Sequence, residues 1–454
     1  MGAGKQPGAV SVSRRLVDDA DAVFEVAPQR CGRCEATLVG AVETARVRRQ
    51  VVDACAPPPP VVNEYQLVSR RCGCGHVNDP TASDLPRPLN PDPVVVPDPD
   101  TGVRAVEPVN PGTGTGSSTG VGAGGEAGLV VVLRPGSPVR LGPRVSALVA
   151  LLTCGHYLPV GRARVLLATM CGVRVSTGWV AGVRHRAAIL LQDGFLPHLR
   201  DMLRTAPLLH ADETCARAAG AVSYVHVACT EYLTVMHVGG RSGADIDAGG
   251  VLPDFTGTLM RDGYSGYTHL PAIHAWCAAH LLRDLRSLSD ADPHTQLWAL
   301  AMADTLLDAH QAADRARAVD ATHLPDAVLT QIRSHYHGAL ARGAIDNHDQ
   351  PGALATQART LIRRFTRYED MILRFATDLT TPFTNNTAER AIRPVKIQQR
   401  TSGGAWRTLQ GLTDFAVVHS HLNTATKWGQ DTLDVLYQLF TTGAWLPPAL
   451  TPAE

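Results

Sequence analysis

Residues 81–128 cannot join a packed core, and that fact shapes every other reading of this chain. The run LPRPLNPDPVVVPDPD is proline-rich and favours extended backbone; the run NPGTGTGSSTGVGAGGEAG is built from glycine, serine and threonine and favours no single conformation. Neither half buries enough apolar surface to offset the entropy of ordering it. The fold must therefore be assembled on either side of a linker. Residues 1–26 lack sustained periodicity and read as a flexible N-terminus, and residues 27–80 hold a cluster of cysteines. Residues 129–205 carry a helical pattern, and residues 206–454 form the largest block.

A chain of 454 residues with 44% apolar side chains calls for more than one core. Basic and acidic side chains balance at 42 each, so any nucleic-acid contact has to rest on local patches. No run approaches the roughly 18 apolar residues of a membrane span. The start, MGAGKQPGAV, lacks the apolar stretch of a signal peptide. A cytoplasmic protein with no membrane partner is expected.

The segment LPVGRARVLLATMCGVRVSTGWVAGVRHRAAIL predicts two helices around a turn at Cys171–Val175, with Ser176 or Thr177 capping the second. That outline suits a helix-turn-helix, and equally a plain helical hairpin. From Ala206 the pattern turns to strands. PLLHADE is an apolar run ending in acids; VSYVHVAC and YLTVMHV alternate and predict a hairpin; TGTLMRDGYSGY opens on another short strand. A helix follows from about Ala275 to Leu288, residues 290–375 read as helical nearly throughout, and a further helical section runs from Asn386 to Leu446. The expected class is a multidomain α+β or α/β protein: a mixed core with a helical insertion, preceded by a small metal module and a helix-turn-helix-like region.

Asp212 and Asp262 each end an apolar strand, where a sheet delivers side chains to its rim. Two carboxylates so placed supply the hard oxygens that Mg²⁺ prefers, and two ions about 3.5–4 Å apart activate an attacking hydroxyl and stabilise a leaving oxygen. Glu213, Asp245, Asp247 and Asp254 compete for the second place. The third acid is Glu389, in FTNNTAERAIRPVKIQQRTSGG. Asn386 stands three residues before it, which is also a capping-box spacing. Arg390, Arg393, Lys396, Arg400 and Arg407 follow with no acid among them. Lys396 falls two helical turns after Glu389, on the same face. An acid that holds metal beside cations that hold phosphate is what phosphodiester chemistry needs. Pro394, inside that helix, is expected to bend it.

Ten cysteines are unevenly placed, five of them between Cys31 and Cys74. Cys31-Gly-Arg-Cys34 is a metal knuckle, and Cys72-Gly-Cys74-Gly-His76 is its partner. Four thiolates make a closed tetrahedral Zn²⁺ site, although the one-residue spacer is tight and His76 is an alternative to either Cys72 or Cys74. Arginines between the knuckles, in RVRRQ at 46–50 and at Arg70 and Arg71, suit a module that grips phosphate. Cys55 has no partner spacing. Cys277 and His280 form a Cys-x-x-His just after the second acid, which reads as a buried cysteine and a satisfied histidine on a helix, although its place beside that acid leaves a role at the site open.

The stretches HADET at 210–214, RDGYSGY at 261–267, HAWCAAHLLRDL at 274–285 and NNTAERAIRPVK at 385–396 together resemble the DDE transposases of the insertion sequence 66 family. The resemblance extends over most of the chain. It implies a ribonuclease H-like catalytic core at 206–454 with a helical insertion at about 289–380. It implies Asp212, Asp262 and Glu389 as ligands to Mg²⁺ or Mn²⁺. Lys396 becomes a DNA contact, in a basic run with Arg390, Arg393 and Arg400. Structural Zn²⁺ falls to Cys31, Cys34, Cys72 and Cys74. The implied partners are element terminal repeats and target DNA, bound by a homo-oligomer near the bacterial nucleoid. The implied chemistry is cleavage of a strand followed by attack of its 3′-hydroxyl on target DNA. The family usually has further helical sequence before the KQPGA region, which motivates one alternative, a truncated or catalytically decayed DNA-binding relative; a metal-dependent nuclease without strand transfer, using the same three acids, is another.

Overall fold

The computed structural model of the protein describes residues 18, 23–49, 60–64, 66, 68–78 and 141–452. The linker read at 81–128 and Cys55 lie outside them. Two compact units divide the chain, residues 1–59 and 60–454.

In the first unit, a bridge between Arg30 and Thr37 closes a turn that carries Cys31 and Cys34. The second unit opens with an antiparallel ribbon of β1 (Arg70–Arg71) and β2 (Val77–Asn78), which pins the turn holding Cys72 and Cys74. The division therefore places the two cysteine pairs of the expected zinc module in different units.

Four helices follow: α1 (Pro143–Ala150), α2 (Val160–Cys171), α3 (Thr177–Gln192) and α4 (Phe195–Arg204). Gly172 ends α2 in the left-handed region, and Ser176 caps α3 by accepting from the Trp179 amide. The buried face of α3, with Val180, Val183, Ala187 and Leu191, belongs to the same apolar core as the sheet.

That sheet has five strands in the order β5-β4-β3-β6-β7. They are β3 (Leu208–Ala218), β4 (Ala221–Cys229), β5 (Thr234–Gly239), β6 (Thr258–Arg261) and β7 (Ile273–Trp276), with the short helix α5 (Gly243–Asp247) between β5 and β6. The first three form an antiparallel meander; β6 and β7 then add parallel to β3. Ala219 and Gly220 both take positive φ, at 51° and 81°, as the tight two-residue turn between β3 and β4 requires. This mixed α/β arrangement is consistent with a ribonuclease H-like core.

Helices α6 (Ala278–Ala291), α7 (Leu297–Arg317), α8 (Asp326–Asn347), α9 (Ala353–Arg367), α10 (Glu369–Ile372) and α11 (Arg374–Thr377) come next. They bury a second apolar cluster, with Trp298, Met302, Tyr336, Leu361, Phe365 and Phe375 among its members. The chain then returns to the sheet through α12 (Asn386–Thr401), α13 (Leu409–Lys427) and α14 (Thr432–Leu439). Helix α12 runs unbroken through Pro394, whose ring is buried. Among the described residues no helix is long and apolar enough to cross a membrane.

Candidate active site

Asp212 is not at the end of its strand, as the apolar run suggested. It lies inside β3, which continues to Ala218 because β4 pairs with it from His210 to its end. On the other side, however, β6 pairs only as far as His210 with Met260. Two residues further along each strand stand Asp212 and Asp262, so parallel register sets the two acids side by side just where β6 ends. One strand over, Arg261 pairs with Trp276, and the Cys277 amide donates to the Arg261 carbonyl at 2.8 Å. Asp212, inside β3, thus stands in a row with Asp262 and Cys277, which follow the ends of β6 and β7.

Asn385 brings the third acid to this row. It is 1% exposed and is the residue before α12. Its Nδ2 donates to the Ala211 carbonyl at 2.8 Å, and its Oδ1 lies 2.9 Å from His210 Nδ1, which donates to it. Its backbone amide donates to Cys277 Sγ at 3.2 Å. Because that side chain is spent on the sheet, it does not cap the helix, and the capping box expected of Asn386 and Glu389 is not formed. Glu389 stands in the first turn of the helix that this junction fixes.

The three carboxylates feel one another. Asp212 has its pKa pushed up to about 7, first by burial, then by the charges of Glu213, Asp262 and, more weakly, Glu389. Asp212 Oδ1 accepts from the Glu213 amide and Asp262 Oδ1 from the Tyr264 amide, both at 2.9 Å. Among the described residues, Glu389 accepts no hydrogen bond and pairs with no cation. Hard, half-buried oxygens with unused lone pairs and mutual repulsion fit a divalent cation. The three acids do not all lie within 4.8 Å of one another; the group that does is Cys277, His280 and Glu389. His280 Nδ1 is buried without a partner.

The competing acids are all engaged elsewhere. Glu213 is 4% exposed and accepts from Arg241 at 3.0 Å and from the Tyr267 hydroxyl at 2.8 Å. Asp245 completes the capping box of α5. Asp247 pairs with His269 at 2.8 Å and Asp254 with Arg204 at 3.4 Å.

Arg393, Lys396 and Arg400 recur four, seven and eleven residues after Glu389 along α12, so all four side chains share a face. Lys396 Nζ donates to the carbonyl and to Sγ of Cys215 on β3. Arg393 and Arg400 are exposed. Arg390 falls on the adjoining face and lines a separate cleft with His210, Glu231 and Lys427. One site residue escapes a reading of the sequence: Asn385 is indistinguishable there from Asn386. Cys277 and His280 do stand out as a Cys-x-x-His, but the expectation of a satisfied histidine fails, since His280 Nδ1 is buried without a partner and the pair lies beside Glu389. Arg261 did leave a signal, as a cation closing an apolar strand: it is 2% exposed, and its guanidinium donates to His274 Nδ1 and to the carbonyls of Asp262 and Tyr264, at 3.0, 2.8 and 3.2 Å. It holds the turn that bears Asp262.

In the cysteine pairs, the amides of Arg33 and Cys34 point at Cys31 and lower its pKa, and the Cys74 amide does the same for Cys72.

Two acids on neighbouring parallel strands, near a helix with an acid and a basic face, suit an enzyme that handles phosphodiesters. Residues 138–413 match the model of the Transposase IS66 family, over more than half of the chain, and the protein belongs to that family. It is a transposase of the DDE class, which moves DNA by phosphoryl transfer and uses a divalent metal. Among curated proteins none matches the chain.

Proposed function

We propose that Asp212, Asp262 and Glu389 are the ligands of two catalytic Mg²⁺ or Mn²⁺ ions, and that the chain cuts and joins DNA at them. The approach of two neighbouring strands and one anchored helix, each bringing a carboxylate, carries this reading. Ions held there would activate the attacking hydroxyl and neutralise the leaving oxygen of an in-line displacement. Asp212 and Asp262 hold fixed positions because each uses one oxygen on a backbone amide and presents the other. Burial raises the Asp212 pKa, so protons compete with the cation and occupancy rises through neutral pH. Arg393, Lys396 and Arg400 set phosphates along the Glu389 face, and Arg390 extends that charge. Joining both ends of an element calls for two copies of the site, supplied by a homo-oligomer on DNA.

Amides lower the pKa of the Cys31 and Cys72 thiols, which suits a thiolate ligand in each turn, and the resemblance assigns structural Zn²⁺ to Cys31, Cys34, Cys72 and Cys74. Wild-type protein should carry zinc by mass spectrometry, and the content should fall in Cys31→Ser and in Cys72→Ser; retention in both variants excludes these cysteines as its ligands.

The catalytic test incubates pure protein with labelled element ends and Mg²⁺. Joined products are expected from the wild type. Asp262→Asn should abolish them, a loss of at least about 10³-fold, while DNA affinity stays within about twofold. Ends that are cut and never joined would make the protein a nuclease, and binding without cleavage would make it a decayed relative. Chemistry that survives Asp262→Asn excludes Asp262 as a ligand.

A further inference from the structure

A cleft of about 350 Å³ lies between helix α9 and the turn after β6. Four arginines line it: Arg261 from the sheet, and Arg363, Arg364 and Arg367 from α9. Ser265, Thr268 and Thr360 add hydroxyls, and no carboxylate contributes to the wall. We propose that this cleft holds the phosphodiester backbone of the DNA strand that runs through the active site. The proposal rests on the catalytic reading above and gives that site its substrate channel.

Position comes first. Arg261 and Gly263, the two sequence neighbours of Asp262, both line the cleft, so it adjoins the backbone of the turn that bears the second acid, although none of the three acids lines it. Charge comes next. Arg364 is committed to Asp284 at 2.7 Å and lies over Trp276, and Arg261 is spent on the turn it holds. Arg363 and Arg367 are exposed, and neither has a carboxylate within 4.0 Å among the described residues. Arg363 donates only to Thr360 Oγ1 at 3.3 Å, and Arg367 rests over the Tyr368 ring at 5.3 Å. Their spacing of four puts two like charges on neighbouring turns of one helix face, an arrangement that costs stability in isolation. The helix dipole favours a cation in the last turn of α9. It does not explain why arginines from the sheet and the insertion converge on one cleft without a carboxylate. A polyanion whose charges repeat along a strand satisfies both free arginines at once, and the hydroxyls suit phosphate oxygens.

The test measures binding of the full chain, in chelator, to a fluorescent single-stranded oligonucleotide and to a duplex of arbitrary sequence, across a range of salt. Arg363→Ala/Arg367→Ala should weaken binding about tenfold. It should also flatten the slope of log affinity against log salt by about 1.4 on the single strand, or about 1.8 on the duplex. Arg363→Lys/Arg367→Lys should keep the slope. Arg333→Ala/Arg342→Ala, on exposed positions of α8, should change affinity less than about twofold. An unchanged slope in the first variant, or an equal loss in the α8 variant, overturns the cleft. The two proposals fail separately. A wild type that loses the slope with the arginines yet never cuts DNA keeps the cleft and sinks the catalytic reading. One that cuts and joins normally while the slope ignores Arg363 and Arg367 does the reverse.

Discussion

Asp212 and Glu213 are adjacent acids with opposite fates, and the pleat of β3 separates them. Neighbouring side chains of a strand point to opposite faces. Glu213 pairs with Arg241 and accepts from the Tyr267 hydroxyl, whereas Asp212 has no cation among the described residues and feels the charges of Glu213, Asp262 and Glu389. The resistance of the fold to charge at Asp212 should be measurable as stability. Its folded pKa is raised from 3.8 to about 7 by burial and by Glu213 and Asp262. Below the lower value both folded and unfolded chains hold the proton. Between the two, only the folded chain does, so rising pH favours unfolding. Above about pH 7 the penalty is complete and constant. In chelator, Asp212→Asn should therefore be more stable than wild type at pH 8, by on the order of 2–4 kcal/mol, and equal to it near pH 3.5. Urea titrations at the two pH values check this. A variant that gains nothing at pH 8 shows that Asp212 carries its charge there without penalty.

The sequence made the strands that bear Asp212 and Asp262 legible but not their lengths or pairing. PLLHADE signals a strand that stops at its acids; the real strand runs on because β4 covers it as far as the turn at Ala219 and Gly220. Asp212 reaches the site because its other neighbour, β6, is short. Local patterning shows where a strand begins, whereas its partners decide where an edge is exposed, and partners are a tertiary property. The helix that brings Glu389 teaches the same lesson. The spacing from Asn386 to Glu389 fits a capping box, yet the chain starts the helix on Asn385 and turns that side chain onto β3. Asn385→Ala should leave the Ala211 carbonyl and His210 without buried partners, costing about 2–3 kcal/mol. It should also slow strand transfer on the order of 100-fold through a displaced Glu389, while DNA affinity holds. Parallel melting, turnover and binding measurements separate these effects; unchanged turnover in a destabilised protein would leave Asn385 a structural residue only. On the neighbouring turn, a Cβ at Gly263 would meet the Trp276 ring at 2.4 Å. Gly263→Ala should push the Asp262 turn off that ring, lowering stability by about 1–3 kcal/mol and DNA cleavage with it. Cleavage at the wild-type rate would mean that the turn shifts without moving its carboxylate.

Two apolar clusters, one around the sheet and one inside the helices from α6 to α9, suggest how the protein can be stable and still admit DNA. The sheet cluster also contains α3, α4 and α13, so the acids at Asp212 and Asp262 rest on a core that the insertion does not build. The insertion contributes the arginine wall of the cleft, and it meets the sheet core through β7 and α6, where Trp276, Leu281 and Leu285 belong to its cluster. A substrate wall with its own core can open without disturbing the catalytic carboxylates. Leu306→Ala, a truncation at a site that is 0% exposed in the middle of α7, should cost about 2–5 kcal/mol and speed hydrogen exchange through α7, α8 and α9. The amides of β3, β4 and β5 should keep their protection, because none of their packing partners lies in that cluster. Thermal melting then splits into two transitions, with the insertion unfolding first. If the strands lose protection in step with the helices, the two clusters are one cooperative unit, and opening the cleft necessarily loosens the carboxylate row as well.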